Sequence, residues 1–140
     1  MRSWGPAFGL AMLFMTLTTA IVGCATISTV REAQGTGTAK VYALPLSDLS
    51  LKTRKTLGAL GLQIAEIESS TDGKEVTILA EKGLSAFSYG ERIAVFLTEV
   101  SPQQAKVEVI SKKVLATNIF AKTWTGDFFK MLDLMVEEKL

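Results

Sequence analysis

Leu62-Gln-Ile-Ala-Glu-Ile-Glu-Ser-Ser-Thr-Asp-Gly-Lys-Glu-Val-Thr-Ile-Leu-Ala80 is the stretch that decides the fold. Leu62, Ile64 and Glu66 alternate with Gln63, Ala65 and Ile67, which is the two-residue period of a strand. Ser69-Ser70-Thr71-Asp72-Gly73 then supplies turn chemistry, and Val76, Ile78 and Ala80 resume the period on one face. A turn this short joins only antiparallel neighbours. The stretch therefore predicts a hairpin.

Working outward, the same pattern continues on the C-terminal side. Lys82-Gly83 breaks the second strand, and the segment to Gly90 has no clear period. Ile93, Val95 and Leu97 oppose Ala94, Phe96 and Thr98 in a run that is apolar on both sides, the mark of a central strand. Ser101-Pro102-Gln103-Gln104 reads as a turn, and Val107 and Val109 share one side of a further strand. Beyond it Phe128, Met131, Leu132 and Met135 fall on one helical stripe, with Asp127, Lys130, Asp133, Glu137 and Glu138 mainly off it. Phe120 and Trp124 extend that stripe toward its start, with Gly126 as a weak point.

On the N-terminal side, Ala39 to Ala43 is a short apolar run fit for a first strand, ended by Pro45. Ser47 is the expected N-cap of a helix, with Leu46 and Leu51 as a hydrophobic staple across it. Leu49, Thr53, Leu57 and Leu60 form one face of that helix, Lys52, Arg54 and Lys55 lie mostly elsewhere, and Gly61 stops it. The expected order is β-α-β-β-β-β-α. This is an α+β fold, an antiparallel β-sheet of four to five strands with both helices packed on one face.

Before this domain, Met1 to Gly23 reads MRSWGPAFGLAMLFMTLTTAIVG. Arg2 gives a positive start, no charge follows until Arg31, and the intervening residues are apolar or small. That is the physical form of an export signal. Ala25 to Thr38, ATISTVREAQGTGT, holds small and polar residues without a sustained period, so it reads as a flexible tether. Fourteen such residues reach about 20 Å on average and at most roughly 50 Å. The expected division is 1–23 signal peptide, 24–38 lipidated N-terminus and linker, and 39–140 domain.

Ile21-Val22-Gly23-Cys24 resembles the lipobox of bacterial lipoproteins. Isoleucine stands where leucine is usual and valine where alanine or serine is commoner, while Gly23 and Cys24 fit the essential positions. The resemblance implies a diacylglyceryl group on the Cys24 sulfur, cleavage after Gly23, and acylation of the new amino terminus by a fatty acid such as palmitate. Ala25, where an aspartate is the common inner-membrane mark, implies the outer membrane facing the periplasm. Two plainer readings compete. Trp4 to Val22 is 19 residues, long enough to span a bilayer uncleaved. Cys24 is otherwise a small buried hydrophobe of a secreted protein. Threonines at 16, 18 and 19 weigh against the first, and the position of Cys24 directly beyond the signal against both.

From Lys40 onward the chain also resembles small lipoprotein domains of the DUF3568 type. The likeness rests on Leu60-Gly61-Leu62, on Asp72 to Ile78, on Lys106-Val107-Glu108-Val109, and on Gly126-Asp127 opening the last helix. It implies fold and location and brings no chemistry.

Composition narrows the function classes. The chain of 140 residues has one cysteine and no histidine. An internal disulfide is excluded, and the commonest general base and metal ligand are missing. All 14 acidic residues and 14 of the 15 basic ones follow Cys24, so the domain is nearly neutral and has no basic patch for nucleic acid. No cofactor and no metal are expected. Ser111 beside Lys112 is a chance pairing, and Glu66 with Glu68, like Glu137 with Glu138, reads as solvated surface rather than a catalytic pair. Gly35 and Gly37 lack the flanking strand and helix of a phosphate loop. Phe87, Tyr89, Trp124, Phe128 and Phe129 either form a patch for a partner or close the core, the latter being the usual fate of aromatics in small domains. Lys112-Lys113 could touch anionic headgroups, although a solvated strand end is the simpler reading. The expectation is a membrane-anchored, non-catalytic binding or scaffolding module of the cell envelope, with an envelope protein as possible partner. The alternative is a carrier or sensor holding a small apolar ligand between sheet and helices.

Overall fold

A computed structural model describes residues 30–83, 91–113 and 124–138, the side chains of 112 and 113 excepted. The elements are β1 (Thr38–Tyr42), α1 (Leu46–Ala59), β2 (Gln63–Ser69), β3 (Glu75–Lys82), β4 (Glu91–Ser101), β5 (Gln104–Lys113) and α2 (Thr125–Glu137). Their order is the one the sequence patterning predicts. The five strands form one antiparallel sheet in the order β1-β5-β4-β3-β2. β4, read as central from its two apolar sides, is the middle strand. β2 through β5 form a meander. β1 and β2 are the two edges, so α1 must cross the sheet between them.

The turn between β2 and β3 shows why its residues were chosen. Asp72 Oδ1 accepts the Ser70 hydroxyl at 2.6 Å and the Lys74 N–H at 3.0 Å, while Gly73 takes φ +70°. These bonds hold the Asp72 carboxyl below its ordinary range, the Ser70 hydroxyl first and the Lys74 N–H second. Gly61 ends α1 in the left-handed conformation at φ +73°. The Leu62 N–H reaches back to the Leu57 carbonyl at 2.9 Å, and the Gly61 N–H to that of Gly58 at 2.9 Å. Buried Leu62 supplies the apolar contact that goes with such a helix end.

The start of α1 differs from expectation. The helix begins at Leu46 with Pro45 at the N-cap, and no side chain caps it. Proline has its φ already set and no N–H to leave unbonded, so it can stand there without a cap bond. Ser47 lies inside the first turn beside Asp48, and Leu51 is 45% exposed, so the staple with Leu46 does not form. Asp48 in the first turn meets the positive end of the helix instead.

The helix-bearing face of the sheet carries the core. Leu49 and Leu57 of α1 and Phe128 and Leu132 of α2 close over Ile78, Ile93, Val95, Leu97, Val107 and Val109. Phe129 and Val136 pack beside them, whereas Met131 and Met135 are half-buried. Burying each large aliphatic or aromatic side chain contributes about 1.5–3 kcal/mol, so this layer dominates stability. Thr53 and Thr56 lie on the same buried stripe of α1, and their hydroxyls have no hydrogen-bond partner among the described residues.

The opposite face has a smaller cluster, Leu79, Ala94 and Phe96, with Val30 and Ile110 against it. Residues 30–37, expected as the second half of a tether, are folded into tight turns and docked on the sheet. Ala33 N–H donates to the Val30 carbonyl at 3.0 Å and Thr36 N–H to that of Ala33 at 3.1 Å. The physical reason lies on β5. Glu108 points to this face, is buried, and its Oε1 accepts the N–H of Gly35 at 2.6 Å and of Gly37 at 2.9 Å.

Candidate functional site

The residues with the clearest sequence signal, Ile21, Val22, Gly23 and Cys24, lie outside the described residues, as do Phe87, Tyr89 and Phe120. Within the fold, four polar arrangements could carry chemistry or recognition.

The first stands where β3 and β5 end and β4 begins, beside the start of α2. Glu91 is 4% exposed, and its Oε2 accepts the Trp124 indole N–H. Trp124, itself buried, is the residue from which α2 begins, and its backbone N–H donates to Ser111 Oγ at 3.2 Å. Lys82 Nζ lies 4.7 Å from the centre of the indole ring. Alternation puts Lys82, Glu91 and Ser111 on the helix side of the sheet, because Lys82 pairs with Glu91 and Ile93 with Ser111. A carboxylate taken out of water needs donors, and an indole N–H satisfies part of that need. Ser111 thus serves α2 as an acceptor, and the arrangement docks a helix start on the sheet.

The second joins β1 to α2. Asp133 Oδ1 accepts the Tyr42 hydroxyl at 2.8 Å, and Lys40 Nζ donates to both carboxylate oxygens, at 2.6 and 2.8 Å. The Lys40 bond first, and Tyr42 after it, hold the Asp133 carboxyl below its ordinary range against partial burial. Burial foremost, then the neighbouring Asp133, pushes the Tyr42 hydroxyl well above its ordinary value. A tyrosine kept protonated is a donor and a poor base, so the cluster suits a structural clasp rather than proton abstraction.

The third is a surface groove of about 400 Å³ between α1 and the end of α2, lined by Leu44, Leu51 and Val136 with Asp48, Lys52 and Lys55 around them. Lys52 Nζ donates to the Met135 carbonyl at 2.6 Å, placing a cation at the negative end of α2. The fourth is the Glu108 clamp on Gly35 and Gly37. A lone glutamate between Val107 and Val109 is the sequence signal that could have exposed it, because strand alternation sets that side chain on the far face.

Trp124 and Phe128 are buried and Phe129 packs on the core, which is the core-closing reading of these aromatics. Glu66, Glu68, Glu137 and Glu138 are exposed. Among the described residues, no group of three His, Cys, Asp or Glu could hold a metal ion, and no helix is long and apolar enough to cross a membrane.

No protein-family model matches the chain. No curated protein matches it either. Among solved structures it is similar to the adenylate sensor from AMP-activated protein kinase, crystallised in complex with 5-aminoimidazole-4-carboxamide 1-beta-D-ribofuranotide (ZMP). That similarity has a TM-score of 0.47 and 17% identity, covering 71% of this chain and 95% of that one.

Proposed function

We propose that this chain is a bacterial lipoprotein, anchored through acyl chains on Cys24 and facing the periplasm from the outer membrane. Its domain acts there as a non-catalytic binding or scaffolding module. The observation that carries the reading is Ile21-Val22-Gly23-Cys24 standing at the end of a positively started apolar segment. A cysteine at the junction of an export signal and a polar segment is where lipidation chemistry acts. Several acyl chains on one residue, each methylene contributing about 0.8 kcal/mol when buried, hold a protein on a bilayer where a single chain does so only marginally. The resemblance to DUF3568-type lipoprotein domains supports the same address.

Non-catalytic action is supported by the roles of the polar groups. Glu91, Ser111, Asp133 and Glu108 are each committed to positioning a helix, a strand or a turn. The groove beside Leu44, Leu51 and Val136 favours a second reading, a carrier of a small apolar ligand. In that case the ligand lies in this groove at the end of the helix pair; among the described residues, Leu49, Leu57, Val95 and Phe128 are packed in the sheet–helix interior.

Metabolic labelling with a fatty acid tests the anchor. Labelling should be lost in Cys24→Ser; persistence of label in that variant contradicts the proposal. Crosslinking in intact cells, followed by identification of the attached species, separates scaffold from carrier. An envelope protein supports the first, and a co-purifying apolar small molecule the second.

A further inference from the structure

Contacts of four different kinds hold residues 30–37 to the far face of the sheet. Val30 packs against the Leu79, Ala94 and Phe96 cluster. Arg31 Nη2 pairs with Glu68 Oε1 of β2 at 2.7 Å. The N–H groups of Gly35 and Gly37 both donate to Glu108 Oε1. Gly37 lies so close to β5 that a Cβ there would come within 2.5 Å of the Val109 carbonyl oxygen and 2.8 Å of Ile110 Cγ1, a position only glycine fits. Gly35, at φ +91°, adopts a conformation that side chains disfavour. A carboxylate left only 3% exposed is costly unless donors meet it, and here one segment provides two of them. The segment is therefore a strap belonging to the domain.

We propose that this strap is a spacing device that holds the domain against the headgroup layer of the membrane. The inference rests on the reading of Cys24 as the lipidated residue. With the strap clamped, Cys24 and Val30, the first described residue of the strap, are six Cα steps apart. That separation cannot exceed about 22 Å, however those steps are arranged. With residues up to Thr38 released, the same limit rises to roughly 50 Å. The clamp at Glu108 thus cuts the maximum reach of the tether to less than half and keeps Val30 within about 22 Å of the lipidated residue.

The test has two readouts on the full lipidated protein. Hydrogen exchange over residues 30–38 reports the strap without regard to the membrane. In the native chain exchange should be slowed about tenfold or more against an unstructured peptide, and Glu108→Ala or Gly37→Val should restore most of the free rate. Free-rate exchange in the native chain overturns the proposal without any variant. Energy transfer from a dye on Gln103→Cys to acceptor headgroups in phosphatidylethanolamine–phosphatidylglycerol vesicles reports the spacing. It should fall in both strap-releasing variants, and equal transfer with the strap released overturns the spacing role. If the native protein fails to float with these vesicles, the anchor reading fails and the spacing role with it. The exchange data still report the strap by themselves.

Discussion

The two faces of the sheet are built on different principles. The helix-covered face is apolar through its middle, where Ile78 and Ala80 of β3, Ile93, Val95 and Leu97 of β4, and Val107 and Val109 of β5 share one core with α1 and α2, and its buried glutamate, Glu91, stands at the margin where α2 starts. The other face buries Leu79, Ala94 and Phe96, and beside them a glutamate and a threonine, Glu108 and Thr77. One face is held by area removed from water, which is non-directional and tolerant. The other depends on a few directed bonds to a single segment, which fail together if one partner is lost. The comparison teaches that stability resides on the first face and chain positioning on the second.

The largest effect that would test this division is expected at Phe128, which is fully buried. Phe128→Ala should cost about 3–5 kcal/mol by the lost transfer energy and the cavity left behind, measured as the shift in urea unfolding. Leu79→Ala on the far face should cost less, about 2–3 kcal/mol. A larger loss at Leu79 than at Phe128 would break the comparison.

Thr53→Val should sharpen it in the opposite direction. It removes a buried hydroxyl that has no partner among the described residues, and a gain of about 1 kcal/mol is expected by the same measurement.

The Tyr42–Asp133–Lys40 clasp is worth less, because Lys40 and Asp133 are both more than a third exposed and water screens them. Asp133 has a folded pKa below its unfolded one. Its contribution is therefore present at neutral pH and lost as pH falls from about 4 through the lower folded value; Asp133→Asn should flatten stability there by under about 1 kcal/mol. Tyr42 shows the reverse sign. Its raised pKa makes its contribution complete below about pH 10 and lost above it. In Tyr89→Phe, where Tyr42 is the remaining tyrosine, the phenolate absorbance should rise only beyond pH 10. A midpoint near 10 would mean that the bond to Asp133 is open in solution. The smallest effect belongs to Arg31→Ala, which breaks an exposed ion pair and should cost about 0.5 kcal/mol or less.

How far the sequence could be read follows the same division. Strand alternation at Val76, Ile78 and Ala80, the double-sided run from Ile93 to Thr98, and the Gly61 stop all work through local period or backbone geometry, so element order and the central strand were legible. The start of α1 is not legible in the sequence, because Ser47 is the better cap by side chain while Pro45 suits the position by its fixed φ alone. Glu108 and Gly37 are 71 residues apart, and no local period links them, so the strap was legible only as two glycines in a polar segment. The clasp of Tyr42 on Asp133, 91 residues away, was hidden for the same reason. The proposed lipobox rests on four consecutive residues, Ile21 to Cys24, outside the described residues, and on no feature of the fold.

The proposed anchoring depends on Cys24, and intact mass measurement of the protein extracted from native membranes tests that residue directly. The expected mass begins at Cys24 and carries a diacylglyceryl group together with an amino-terminal acyl chain. A mass showing a free thiol, or residues 1–23 still attached, would contradict the account.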